Sequence, residues 1–254
     1  MLPIRDLNPT RIRPVVTWVI IAVNVVVYFL LQPQPTADPA DTEYEEFIYE
    51  RAAIACEVST GEPLDVDEVR FGVCRDDGGL SNEIFPDKNV WLAVGVSMFL
   101  HGGIAHLLFN MWSLWIFGNN VEEAFGTLGY LLFYLAAGIA ATAGFVAVNP
   151  DLTVPLIGAS GAIAGVMGAY LVLFPDHRVM TLIFFYVVAV PAILFLGVWF
   201  VSQFALASEE TGVAWEAHVA GFLFGIVATL PFRRRLLANT TAPVRSDSAF
   251  QPRF

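Results

Sequence analysis

Four polar side chains interrupt the apolar stretches of this 254-residue chain, and their types suit acyl-transfer chemistry. Ser160 lies in the segment GASGA, His218 opens a later apolar stretch, and His106 and Asn110 are four residues apart. A serine hydroxyl is a weak nucleophile until a base takes its proton, which histidine can do near neutral pH. His106 and Asn110 carry N–H groups that could stabilise an oxyanion. Taken alone, however, Ser160 in a Gly/Ala run is also an ordinary packing residue.

The segments that carry these side chains are apolar enough to cross a bilayer. Hydrophobic residues make up 56% of the chain and the mean hydropathy is +0.63, too apolar for a soluble domain of this length. A bilayer core takes roughly 20 apolar residues per helix. The pattern therefore predicts an all-α polytopic membrane protein with spans at 15–31, 103–118, 127–148, 157–174, 179–203 and 214–232. The apolar stretch 90–100 is interpreted as an interfacial segment, because two glycines separate it from the second span.

A common depth connects the polar side chains. At a rise of about 1.5 Å per residue, His106, Ser160 and His218 lie roughly 18 to 21 Å from the inner ends of their predicted spans. Asn110 is one helical turn from His106 on the same face. Rows of small residues favour close packing of the fourth and sixth spans. These rows are Gly161, Gly165 and Gly168 in the fourth span and Gly221 and Gly225 in the sixth.

The charges predict how the chain is oriented. Arginines cluster before the first span, between the fourth and fifth, and after the sixth, which the positive-inside rule places in the cytoplasm. Residues 1–14 and 233–254 are thus predicted to be cytoplasmic, the latter as a disordered tail, and 15–232 to form the membrane domain of a cell-membrane protein. The first span lacks a cleavage site and is expected to remain as an anchor. No basic patch points to nucleic-acid binding.

The segment 32–90 is predicted to be a long outward loop. It holds 15 acidic and 4 basic residues, which accounts for the whole net charge of −11. Apolar positions in 44–55 fit a short amphipathic helix. Cys56 and Cys74 are the only cysteines in the sequence, and an outward loop can be oxidising, so a disulfide is expected. The alternative is two unrelated buried thiols.

Three motifs in this order resemble those of the rhomboid intramembrane serine proteases. They are HGGIAHLLFNMWSLWIFGNNVE (101–122), GASGAIAGVMGAY (158–170) and AHVAGFLFG (217–225), and the opening IRDLNPTRIRPVVTWVIIAVNVVVY is similar to the N-terminus of prokaryotic members. The resemblance covers all six predicted spans and covers the acidic loop least. It implies a six-helix bundle with a water-filled cavity that opens to the outside, and substrates that are transmembrane segments of other proteins.

The resemblance also assigns roles to individual residues. It implies a dyad of Ser160 and His218, with His106 and Asn110 stabilising the oxyanion. His101 is implied to be structural rather than catalytic, and Gly158, Gly161 and Gly221 are expected near the site as structural residues. Some members carry an aromatic residue four positions after the nucleophile, packed on the catalytic imidazole. Ala164 stands there in this chain, so Trp215 or a side chain of the second span is expected to steady His218.

Other readings of the same residues stay open at this point. His101, His106 and His218 could bind a metal, although the His-Glu-x-x-His pattern is absent and no metal or other cofactor is expected. Glu216 is two residues from His218 and faces another side of the helix, which favours a dyad over a triad. The chain could also be an inactive relative that holds membrane clients, or a channel or transporter, although no repeat symmetry is visible. The expected partners are transmembrane substrates and the lipid bilayer, and the sequence does not fix the oligomeric state.

Overall fold

The computed structural model describes residues 1–36, 40, 42–75, 82–205 and 213–241. Its helices are α1 (Val15–Val26), α2 (Glu43–Arg51), α3 (Ala55–Thr60), α4 (Val66–Phe71), α5 (Val90–Val96), α6 (Ile104–Phe125), α7 (Thr127–Val148), α8 (Ser160–Leu173), α9 (Ala192–Ala205), α10 (Trp215–Thr229) and α11 (Arg233–Thr241). Its strands are β1 (Leu2–Asp6), β2 (Ala53–Ile54), β3 (Pro155–Leu156), β4 (Arg178–Ile183) and β5 (Tyr186–Pro191). The fold is mainly helical, but the prediction of an all-α chain is wrong.

Five of the six predicted spans are helical in the structure. They correspond to α1 with a π-helical turn at Val27–Leu31, and to α6, α7, α8 and α10. Within the described residues, α7 and the continuous helical stretch Trp215–Thr240 are long and apolar enough to cross a membrane, as is α6 if α5 is counted with it. The remaining apolar helices are shorter. The segment 90–100 forms α5 and a 3₁₀ turn, bent by 80° from α6.

The fifth predicted span, 179–203, is wrong as a single helix. Residues 178–191 form the hairpin β4–β5, and α9 begins only at Ala192, directly after Pro191. A proline inside a helix removes a backbone hydrogen bond and clashes with the preceding turn, so the helix starts after it. β1 pairs antiparallel with the other edge of β4, which gives a three-stranded sheet in the order β1-β4-β5.

The two ends of the described chain meet at one end of the bundle. Glu122 of α6 accepts hydrogen bonds from the backbone N–H groups of Val16 (2.9 Å) and Thr17 (2.8 Å). These N–H groups lie in the first turn of α1, where a helix has no internal acceptor for them. Arg11 pairs with Glu123 at 3.0 Å. Arg11 also donates to the carbonyl oxygen of Asn239 at 3.3 Å, so the two ends of the described chain lie together beside α6.

The tail is helical where the structure describes it. Asn239 of α11 donates to the carbonyl oxygen of Ala124 in α6 at 2.7 Å. The prediction of a disordered tail is thus wrong for residues 233–241, because this helix packs on the bundle. Residues 242–254 lie outside the described part of the chain.

The acidic loop contains a folded unit, here called the cap (residues 42–75 and 82–89). The predicted amphipathic helix is confirmed as α2, and the expected disulfide joins Cys56 to Cys74. The Lys88 ammonium contacts the Glu57 carboxylate at 2.5 Å, and both side chains are buried. Burial raises the pKa of Glu57 and lowers that of Lys88, while their mutual attraction opposes both shifts.

The cap is bound to the segment that precedes α8. β2 pairs antiparallel with β3, so that Ala53 lies opposite Leu156 and Ile54 opposite Pro155. The backbone N–H of Cys56 donates to the carbonyl oxygen of Leu152 at 3.0 Å. The cap therefore holds the strand that leads into the GASGA segment.

Candidate active site

Ser160 and His218 meet at the ends of two adjacent helices. Ser160 is the first residue of α8 and His218 the fourth of α10. The Ser160 Oγ lies 2.8 Å from the His218 Nε2, a normal hydrogen-bond distance. The sequence-based prediction that the two side chains share one depth agrees with this geometry.

Glycines bring the two helices together. A Cβ built on Gly221 would overlap the carbonyl oxygen of Gly161, and one on Gly225 would overlap that of Gly165. The two backbones are thus in direct contact along the predicted rows of small residues. A side chain at either position would push α10 away from α8, and the Ser160–His218 distance depends on this contact.

The second ring nitrogen of His218 has a partner that the sequence analysis missed. The His218 Nδ1 lies 2.7 Å from the Oε1 of Gln203, which is 3% exposed on α9. The indole ring of Trp199, one turn earlier on α9, lies beside the imidazole with 6.1 Å between ring centroids. Gln203 was visible in the sequence as an amide at the end of the predicted fifth span.

The expected support for His218 is therefore corrected. Trp215 packs against Phe204, with 5.5 Å between their ring centroids, and the contacts to the imidazole come from α9 rather than from Trp215 or α6. Ala164, buried in α8, leaves a small side chain where an aromatic was considered. The ring contact to His218 comes instead from Trp199 of α9.

Asn110 and His106 line the same cavity as the Ser160–His218 pair. The Asn110 side chain is 6% exposed, and its Nδ2 has no hydrogen-bond partner among the described residues. A buried amide donor without a partner is costly, so such a group usually has a function or a bound water. The His106 Nδ1 accepts from the backbone N–H of Gly102 at 3.4 Å, a long bond that favours the proton on Nε2.

Gly158 shapes the loop beside His106. Its φ of +121° is in a region that disfavours other residues, and a Cβ there would come within 2.7 Å of the His106 Nε2. The Gly158 N–H donates to the carbonyl oxygen of Ser97 at 2.9 Å, which holds the loop in place. Gly158 thus lets the loop backbone approach the imidazole.

His101 lies behind the site. It is fully buried, its ring packs edge-on against His106 at 5.1 Å between centroids, and it does not line the cavity. Its backbone N–H donates to the Gln32 Oε1 at 3.0 Å, and its carbonyl oxygen accepts from the Gln32 Nε2 at 2.5 Å. These contacts fit the structural role expected of His101.

No carboxylate touches His218 in the part of the chain that the structure describes. Glu216, two residues away, instead accepts from the Asn149 Nδ2 at 3.1 Å. The one described cluster with metal-ligand geometry is Cys56, Glu68 and Cys74 in the cap, and there the disulfide engages both sulfurs.

The cavity in front of Ser160 has a volume of about 1220 Å³. Its lining combines apolar residues of α6 and α7 with the polar groups of the site and with residues 154–158, which the cap holds. A hydroxyl, an imidazole and two further N–H donors thus face one space large enough for a peptide segment. The arrangement suits attack on a carbonyl carbon.

The family model that matches this chain describes the rhomboid domain, over residues 88–235. Rhomboid protease GluP of Bacillus subtilis is 33% identical over 152 residues, which cover 58% of this chain and 29% of that protein. Rhomboid protein 1, mitochondrial, of Saccharomyces cerevisiae is 29% identical over 143 residues, 52% and 39% of the two chains. Presenilin-associated rhomboid-like protein, mitochondrial, of Bos taurus is 31% identical over 147 residues, 52% and 35%. The matched regions span less than half the length of each relative.

Proposed function

Since this chain belongs to the rhomboid family, we propose that it is an intramembrane serine endopeptidase. It hydrolyses peptide bonds in or next to transmembrane segments of other membrane proteins, with Ser160 as nucleophile and His218 as base. The observation that carries the proposal is the 2.8 Å contact between the Ser160 Oγ and the His218 Nε2 at the wall of the cavity.

The reaction begins with attack of the Ser160 Oγ on the scissile carbonyl carbon. The hydroxyl proton passes to the His218 Nε2, which then donates it to the nitrogen of the leaving peptide. The C–N bond breaks and an acyl-enzyme remains. A water molecule, deprotonated by the same imidazole, attacks the ester and releases the second product.

The oxyanion of the tetrahedral intermediate is met by N–H groups from two helices. The backbone N–H of Ser160 lies at the start of α8, where the first N–H groups of a helix have no internal partner. Asn110 and His106, whose Nδ2 and Nε2 are the proposed donors, line the same cavity. Such donors, fixed before the reaction, stabilise the developing negative charge without reorganisation.

The site also constrains where a substrate is cut. A helical substrate has its backbone hydrogen bonds closed, and a turn must unwind before a carbonyl reaches Ser160. Unpaired backbone groups in lipid cost several kcal/mol each. The polar cavity reduces that cost only at its own depth, close to the start of α8. Cleavage is therefore proposed near the outer end of the substrate helix, and better where Gly or Pro follows the site.

The proposed placement follows from the arginines and the bundle. The chain crosses the cell membrane six times, with both termini cytoplasmic and the cavity open to the outside. Helices α1, α8 and α9 are short for a span, and the apolar exposed faces of α1 and α9 support contact with lipid. Cysteine labelling from each side of sealed vesicles tests this topology.

The decisive experiment uses the full chain in lipid vesicles with a model transmembrane substrate. Ser160→Ala and His218→Ala should each abolish cleavage, and Ser160→Ala should also abolish labelling by a fluorophosphonate probe. Glu216→Gln is the matched control, because Glu216 bonds Asn149 rather than His218, and it should keep activity. Cleavage by either dyad variant, with both folded by thermal melting, would disprove the proposal.

A further inference from the structure

Gln203 is a buried amide in an otherwise apolar helix. α9 reads AILFLGVWFVSQFA, and Gln203 is 3% exposed while most of its neighbours face outward. A polar side chain inside a membrane helix costs free energy unless its groups are satisfied, and it usually faces a functional site. Here both ends of the amide have partners.

The orientation of the amide is fixed by the backbone of its own helix. The Gln203 Nε2 donates to the carbonyl oxygen of Trp199 at 3.1 Å. A carbonyl oxygen accepts only, so the nitrogen of the amide must lie on that side. The Oε1 is consequently the atom that faces the His218 Nδ1 at 2.7 Å.

An amide oxygen on Nδ1 determines the tautomer of the imidazole. Oε1 can only accept, so the Nδ1 must carry the proton and the Nε2 keeps its lone pair. That lone pair is directed at the Ser160 Oγ, 2.8 Å away. In the opposite tautomer Nε2 would carry the hydrogen and could not take the serine proton.

We propose that Gln203 is a positioning residue, which holds His218 in the Nδ1–H tautomer so that Nε2 can act as the base. This inference rests on the proposed function for its consequence in catalysis, although the tautomer itself does not. Gln203 occupies the place that an Asp side chain takes in triad enzymes, where it orients the imidazole.

A neutral acceptor suits this location better than a carboxylate would. An ionised side chain in a membrane segment costs several kcal/mol, whereas an amide with both groups bonded does not carry that penalty. Trp199 covers the imidazole from the same helix that carries Gln203.

The first test measures the tautomer without any substrate. The full chain is labelled with ¹⁵N-histidine and placed in lipid bilayers for solid-state NMR, and the His218 signals are identified by their absence in His218→Asn. The wild type should show a protonated, pyrrole-type Nδ1 and a pyridine-type Nε2. Gln203→Met, similar in size but without the acceptor, should lose this pattern, and Gln203→Glu, which keeps an oxygen there, should retain it.

The outcomes of this test are decisive even if one variant does not fold. A wild-type spectrum with the proton of neutral His218 on Nε2 would overturn the inference by itself. So would a Gln203→Met protein that melts like the wild type and keeps the Nδ1–H pattern. A structural role in packing alone predicts this second result, since methionine fills nearly the same volume.

The second test measures cleavage. Gln203→Met should lower kcat roughly tenfold to a hundredfold with little change in KM, because a misoriented base slows proton transfer rather than binding. Gln203→Glu should recover most of the loss. A raised KM at constant kcat would contradict the positioning role.

The two proposals fail in different ways. If the chain cleaves no transmembrane substrate but His218 shows the Gln203-dependent tautomer, the proposed function fails and the positioning inference stands. If Ser160-dependent cleavage occurs while Gln203→Met changes neither tautomer nor kcat, the function stands and the inference fails.

Discussion

Helices α8 and α9 both contribute to the site, yet they are held in opposite ways. Residues 161–170 of α8 are all buried, and its glycines touch the backbone of α10. On α9 the buried residues are Ala192, Phe195, Leu196 and Gln203, and large apolar side chains such as Val198 and Val201 face outward. Ser160 and His218 thus lie on helices whose backbones are closely packed, whereas Gln203 lies on a helix with one exposed side.

The comparison shows two ways in which the side chains of the site are held in position. Ser160 and His218 are placed by main-chain contact, which leaves little freedom because interiors do not deform continuously. Gln203 is placed by two hydrogen bonds, one to its own helix and one to the imidazole. Hydrogen bonds can break and reform when α9 moves, whereas the glycine contacts cannot without separating two helices.

The largest effect is expected from breaking the glycine contact. Gly221→Val should reduce cleavage below detection and lower the melting temperature, because its side chain would overlap the Gly161 carbonyl and overpacking costs roughly 1–3 kcal/mol or more. Gly197→Val is the matched control on α9, where a Cβ meets no described atom within 4 Å. Equal losses in both variants would show that the two helices are not held differently. Melting curves and initial rates give both quantities.

Asn110→Ala extends the comparison of α8 and α9 to α6, which also lines the cavity. In the proposed mechanism the Asn110 side chain is an oxyanion donor, and removal of one such donor should lower kcat by roughly 10²–10³ while KM changes little. Asn119→Ala removes an amide at the far end of the same helix, where it bonds Asn120, and should keep wild-type kinetics. A rise in KM alone would instead indicate that Asn110 binds the ground state.

The disulfide of the cap can be removed to test how the loop before α8 supports the site. Replacement of Cys56 and Cys74 by serine should destabilise the protein by roughly 3 kcal/mol, from the entropy of an 18-residue closure. Activity should fall because a loosened cap weakens the backbone bond from Cys56 to Leu152, which lines the cavity. Denaturant unfolding of the double variant and the wild type measures the difference. Two thiols labelled in unreduced wild-type protein would refute the expectation.

The smallest effect concerns Asp6, which lies near the C-terminal ends of α6 and α8. Burial raises the pKa of its carboxyl to about 6, against hydrogen bonds from Tyr170 (3.1 Å) and Asn120 (2.5 Å). Because the folded pKa exceeds the unfolded value, the protonated form stabilises the fold at low pH, and this contribution is lost as pH rises through about 6.

Asp6→Asn tests that sign. The wild type should lose about 1 kcal/mol of stability between pH 5 and 7 relative to this variant, which resembles the protonated form. Parallel melting curves over this range would contradict the prediction.

The sequence predicted the part of the site that lies on α6, α8 and α10. Ser160, His106, Asn110 and His218 could be placed together because the helical rise converts sequence spacing into depth. Gln203 could not, because its partner depends on how α9 packs, and residues 178–191 are apolar and β-branched enough to suit either helix or strand. Pro191 was a usable signal, since the helix begins directly after it.

The sequence analysis also missed β1 and α11, and both depend on contacts with residues far away in the sequence. β1 pairs with β4 across more than 170 residues, with Leu2 opposite Leu182, and no local pattern records such a partner. α11 owes its order to contacts such as that of Asn239 with Ala124. In both cases tertiary packing overrides weak local preference.

The backbone contact between α8 and α10 has a consequence for how lipids affect this protein. A bilayer that is thicker or thinner than the apolar surface it surrounds tilts the helices embedded in it. Because α8 and α10 touch through Gly161 and Gly221, they tilt as one rigid body, and the distance from serine to imidazole is insulated from membrane thickness. Helix α9 has an apolar exposed face and is not held by such a glycine contact. Acyl-chain length should therefore modulate turnover through the orientation of the base, and leave the nucleophile where it is.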